Sequence, residues 1–164
     1  MLIRHLPTRT GSLWLLFSAT VALTACFPLL AGVFDLTFID GIADPATTRA
    51  TIAGFSAEQR IAHAWITGTV DVAYPLAYGV FFAASTLCFF PRAGAHLALL
   101  PLLAIPVDLF EGLVQILALT GTADWLAMKA FITPLKMLLL LCGLASTICG
   151  WLAWLYRRAK GNVS

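Results

Sequence analysis

The chain has 164 residues, of which 60% are hydrophobic and 11% charged, with a mean hydropathy of +0.91. Soluble domains lie nearer half apolar and a quarter charged, so this balance excludes an ordinary soluble domain and points to a polytopic membrane protein. A formal charge of +2, with no dense basic run, excludes a nucleic-acid-binding role.

Four apolar spans follow one another, each long enough for a hydrocarbon core that takes about 20 helical residues. They cover 13–34, 65–90, 97–119 and 131–156, with an outer loop at 35–64. Strand-like alternation is absent, so the expected fold is an all-α membrane protein, a single domain built as a four-transmembrane-helix bundle. Pro28, Pro75, Pro101, Pro106 and Pro134 fall inside these spans, where neighbouring helices re-satisfy the freed carbonyls.

The first span follows Arg4 and Arg9 and contains Leu23-Thr24-Ala25-Cys26, which resembles a lipoprotein cleavage box. Its apolar run continues through Phe34, too long for a signal-peptide core, so it reads as a first transmembrane helix. In the loop beyond it, Gly41, Asp44-Pro45 and Thr47-Thr48 make the first half turn-rich. Ser56 and Gln59 then form a capping-box pair that starts the second helix near Ala57, ahead of its membrane span. Such a loop serves either as a lid over the outer mouth of the bundle or as a plain connector.

The second span places Asp71, Tyr74 and Tyr78 on one helical face, around Pro75 and Gly79. The third repeats the arrangement with Asp108, Glu111 and Gln115, and the fourth carries Lys136 shortly after Thr133-Pro134. An ionised side chain at bilayer depth costs at least a few kcal/mol, so these groups are expected to face the bundle interior and mark a site. With a rise of about 1.5 Å per residue, Asp71, Glu111 and Lys136 fall about 9, 12 and 8 Å inside one boundary, with Asp108 near the midplane. They are expected to form one site in the outer half of the bilayer.

Three carboxylates against one lysine leave a surplus of two negative charges. A proton, a cation from the loop (Arg49, Arg60 or His63) or a bound cation would balance it. Asp108 and Glu111, three residues apart on one face, are expected to make each other harder to ionise, with a shared proton one outcome and at least one carboxyl of the cluster protonated at neutral pH. Lys136 with Glu111 or Asp71 is alternatively an interhelical pair that fixes register. His63 reads as interfacial, and His96 lies near the cytoplasmic end of its helix. Cys26, Cys88, Cys142 and Cys149 lie within the spans as apolar packing residues, so neither a disulfide nor a metal site is expected. Gly143, Ser146 and Gly150 share a face with Cys142 and Cys149 as a helix-packing stripe.

Orientation follows from the cations. The side holding both termini has Arg4, Arg9, Arg92, Arg157, Arg158 and Lys160 and no acid. The opposite side mixes Arg49, Arg60 and Lys129 with Asp35, Asp40, Asp44, Glu58 and Asp124. The positive-inside rule then makes both termini cytoplasmic, in a multi-pass protein of the bacterial inner membrane. Trp65, Trp125, Trp151 and Trp154 fall at the expected interfaces.

Phe34-Asp35, the Asp71-x-x-Tyr74-Pro75-x-x-Tyr78-Gly79 run, Pro106-x-Asp108-x-x-Glu111 and Lys136 together resemble a family of small bacterial four-helix membrane proteins of unassigned function. More remotely, the architecture is similar to the EXPERA group, which includes emopamil-binding sterol isomerases. That resemblance implies four helices with acidic residues lining a lipophilic cavity, and it rests on layout alone. Three functions are open. The first is a site for a membrane lipid or lipophilic small molecule, with isomerisation or cyclisation as its chemistry. There Asp71, Asp108 and Glu111 are acid or base candidates, and Tyr74, Tyr78, Gln115 and Lys136 bind the ligand. The second is an accessory subunit packed against partner subunits of a larger membrane complex. The third is a proton or cation pathway. No nucleotide-binding, metalloprotease or nucleophile motif is present, and no cofactor is expected.

Overall fold

A computed structural model describes residues 6, 10–90 and 92–161. Arg4 and Arg9, counted in the charge asymmetry, lie outside the described residues. The elements are α1 (Thr10–Phe34), α2 (Pro45–Gly54), α3 (Ala57–Phe89), α4 (Gly94–Leu97), α5 (Leu99–Leu119), a 3-10 turn (Leu126–Met128) and α6 (Lys129–Gly161). Four stretches are long and apolar enough to cross a membrane: Gly11–Phe34, Ala57–Phe89, Gly94–Leu119 and Leu126–Gly161. The chain is thus an all-helical bundle of the kind that makes a multi-pass membrane protein. Cys26, in the lipoprotein-like tetrapeptide, sits within the unbroken α1.

Local chemistry sets the boundaries. Ser56 accepts from the Gln59 N–H while the Gln59 side chain accepts from the Ser56 N–H, so α3 starts at Ala57, at the predicted capping box. Its long extension ahead of the apolar run forms one wall of the bundle's α2 end. Pro101 has no N–H for the carbonyl four residues back, and the third span is interrupted at Ala98, one turn before it. The span predicted over 97–119 therefore begins earlier, as α4.

The turn-rich reading of 41–48 is corrected. Asp44 caps a helix, accepting from the Thr47 N–H at 2.7 Å, and Pro45 opens α2. Asp-Pro supplies an N-cap followed by a residue whose φ is already helical, so this pair starts a helix as readily as a turn.

α3 is the central helix and packs against α1, α5 and α6, while α6 also packs on α5. α1 is peripheral and rests mainly on α3. Two apolar clusters stabilise the bundle. Ile39, Ile52, Val114, Leu119 and Leu126 form one at the α2 end, and Tyr78, Phe81, Phe82, Ala104 and Leu139 form the other deeper in. The intramembrane polar residues lie in the layer between them. Toward the opposite end the helices approach closely. A Cβ on Gly94 would come within 2.9 Å of the Thr86 carbonyl oxygen, and one on Gly150 within 2.7 Å of Phe89 Cβ. Gly143 likewise meets Phe82 and Pro101, so the small-residue stripe of α6 packs within the chain.

Candidate functional site

The polar layer is assembled by helical spacing. On α5, Asp108, Glu111 and Gln115 face inward. On α6, Lys129, Thr133 and Lys136 do the same at spacings of four and three. The two stripes interlock. Lys129 Nζ donates to Glu111 Oε1 at 2.7 Å, and Thr133 Oγ1 donates to the same oxygen. Lys136 Nζ donates to Asp108 Oδ1 at 3.0 Å and is ion-paired with Glu111 Oε2. Tyr78 completes the run, donating to Asp108 Oδ2 at 2.8 Å. Glu111 and Lys129 are wholly buried.

This ladder corrects two expectations. Lys129 was placed among the loop cations, yet it is the buried counter-charge that the sequence count lacked. Asp108 and Glu111 are not joined by a shared proton, because Lys136 stands between them and holds both. Arg49 instead binds Asp124 at the surface, with Nε to Oδ2 at 2.6 Å. That hydrogen bond holds the Asp124 carboxyl below the ordinary aspartate range. His63 is buried within the chain. Its Nε2 accepts the Ile39 N–H at 3.4 Å, which leaves Nδ1 as the protonated nitrogen facing Thr67 Oγ1 at 3.2 Å.

The loop after α1 is tied down over this layer. Besides the His63 contact, the Ile39 carbonyl accepts from Lys129 Nζ at 3.1 Å, and Asp40 Oδ1 accepts from Gln115 Nε2 at 3.1 Å. Residues 39–40 thus bond to α3, α5 and α6 at once. The segment is a fastened cover. Lys129, His63, Thr133 and Asp40 were missed as site residues, although the 129-133-136 spacing carried the same one-face signal as 108-111-115.

Beneath that cover lies a cavity of about 290 Å³, bordered by Phe27, Phe38, Asp40, Asp71, Tyr74, Asp108, Lys136, Met137 and Leu140. Of the candidate residues, Asp71, Tyr74, Asp108 and Lys136 line it. Glu111, Tyr78 and Gln115 stand behind them and hold the lining. Lys136 is already held by two carboxylates. Asp71 is different: among the described residues it makes no hydrogen bond and no ion pair. Its Oδ2 lies 3.8 Å from where a Cβ on Gly112 would stand, an ordinary contact distance. Pro75 has no N–H to give the Asp71 carbonyl, so acceptors accumulate at this turn. Aromatic rings flank it, with Phe27 5.3 Å and Tyr78 5.1 Å from Tyr74, centroid to centroid.

Fold and site define a helical bundle with a charged, covered cavity among its apolar spans. Compared with protein-family models, curated proteins and solved structures, the chain finds no match.

Proposed function

We propose that this cavity binds a lipophilic small molecule whose polar end donates a hydrogen bond, as a hydroxyl or an ammonium, to Asp71. The unpartnered Asp71 carboxylate carries this reading. Three carboxylates and one already paired ammonium border the space, so its field favours a donor or a cation. The rings of Phe27, Phe38 and Tyr74 suit the apolar body beside that polar end and attract positive charge over their faces. A volume near 300 Å³ is at the small end of ligand pockets, so it accommodates only part of a larger ligand.

Where the ligand is a reactant, Asp71 is the group placed to move its proton. Asp108 and Glu111 are occupied by lysines and hold the geometry. That division assigns the isomerisation or cyclisation chemistry considered above to one carboxyl, in a pocket of the kind the EXPERA resemblance implies. The Glu111–Lys129–Thr133 part of the ladder is structural and fixes the register of α6 against α5. The stripe that favoured an accessory subunit packs inside the chain. Among the described residues, the buried polar groups toward the opposite end are hydroxyls such as Ser85, Thr86 and Thr147, a poor relay for a proton pathway. We place the protein in the bacterial inner membrane with both termini cytoplasmic and the cavity in the outer half.

The test is native mass spectrometry of protein extracted with its own lipids, comparing wild type with Asp71→Asn. The expected result is a bound molecule that the variant loses at least tenfold while its thermal transition stays within a few degrees of wild type. Equal retention of that molecule by the variant would overturn the assignment.

A further inference from the structure

A second space lies on the same seam as the cavity. It is a groove of about 360 Å³ toward the opposite end, bordered by Trp14, Phe17, Phe81, Phe82, Leu144, Thr147, Ile148, Trp151 and Leu152, with no polar surface exposed to it. The α6 stripe makes the two spaces neighbours. On α6, Met137 and Leu140 border the cavity, and the same face continues through Leu144 and Ile148 to Trp151. On α1, Phe27 borders the cavity while Phe17 and Trp14, nearer the start of the same helix, border the groove. α1 rests mainly on α3, and Val21, between Phe17 and Phe27 in sequence, is half-exposed.

We propose that the ligand is a single-chain amphiphile. Its polar end occupies the cavity at Asp71, and its hydrocarbon tail lies along the α1–α6 seam into the groove. This deepens the reading given above and rests on it. From Met137 to Leu152 the seam measures about 22 Å at the helical rise, most of a hydrocarbon core about 30 Å thick. An extended acyl or prenyl chain fits that length, whereas a compact fused-ring ligand would fill only the cavity end. The open seam also admits the molecule sideways from the membrane, so the fastened cover need not move.

Alkylamines from octylamine to octadecylamine, added to full-length protein in nanodiscs with empty nanodiscs as the partition control, are suitable probes. Affinity above the control is expected to rise with chain length. Leu144→Trp fills the groove from a partly exposed position, and it is expected to weaken octadecylamine at least tenfold while leaving octylamine within twofold. Asp71→Asn is expected to weaken both. Unchanged octadecylamine binding by Leu144→Trp, with loss in Asp71→Asn, overturns the tail assignment and leaves the polar end standing. Unchanged binding in Asp71→Asn overturns the underlying reading itself. As a check independent of folding, an octadecylamine with a terminal diazirine should label wild-type peptides containing Trp14, Phe17 or Trp151. Labelling confined to the Tyr74 region overturns the proposal.

Discussion

Lys129 shows how much one side chain decides. It opens α6 at the boundary of the apolar region, where a lysine ordinarily extends toward water, yet its ammonium turns inward to Glu111 and the Ile39 carbonyl. Removing one partner of a buried pair leaves an uncompensated charge, which costs about 3–5 kcal/mol, whereas replacing both partners with apolar groups is often nearly neutral. Lys129→Met is therefore expected to lower unfolding free energy by about 3 kcal/mol. Adding Glu111→Leu should recover part of it, because Lys136 keeps Asp108. Denaturant titration in detergent micelles measures both; a double variant no more stable than the single would contradict the ladder. The stripes of Asp71, Asp108, Glu111 and Lys136 were legible because helical spacing reveals which residues share a face. Which lysine answers which carboxylate was not, since an ammonium on a four-carbon stem reaches several partners and only the docking of α5 on α6 chooses among them.

At the scale of elements, α2 is the one the sequence misrepresents, and its cap and its mid-helix ion pair have a common acid sensitivity. The hydrogen bonds from Thr47 hold Asp44 below the ordinary aspartate range, and the Arg49 bond does the same for Asp124. Carboxyls depressed in the folded state contribute stability that is fully present above an unfolded value of about 4 and is lost as pH falls through the folded value. Amide-exchange protection of α2, corrected for intrinsic rate, is therefore expected to fall below about pH 4, ahead of α3. Asp44→Asn keeps a capping side chain without its charge, so it should retain α2 at neutral pH and flatten that acid dependence. An unaltered acid profile in this variant would refute the cap's part in it. The start of α3 was readable because a capping box is local chemistry. α2 was not, because Asp-Pro and paired threonines serve turns and helix starts alike, and the packing of Ile52 against Val114 and Leu126 selects the helix.

For the whole molecule, four stretches are long and apolar enough to cross a membrane, and the proposed orientation, with both termini cytoplasmic, rests on the cations. In a variant lacking its native cysteines, Thr47→Cys is expected to react with a membrane-impermeant maleimide on intact cells, and Gly161→Cys only after permeabilisation. The reverse pattern would invert the orientation. Composition and hydropathy by themselves determined the helical class, the four long spans and the three helices that carry polar stripes, because burial of backbone in an apolar medium leaves few alternatives. Tertiary structure decided the rest. It turned Lys129 inward, fastened residues 39–40 across the cavity, and paired every carboxylate of the ladder while leaving Asp71 alone. These are outcomes of contacts between residues far apart in the chain, where distances of a few ångströms choose the partner, and periodicity along one helix contains no information about the next.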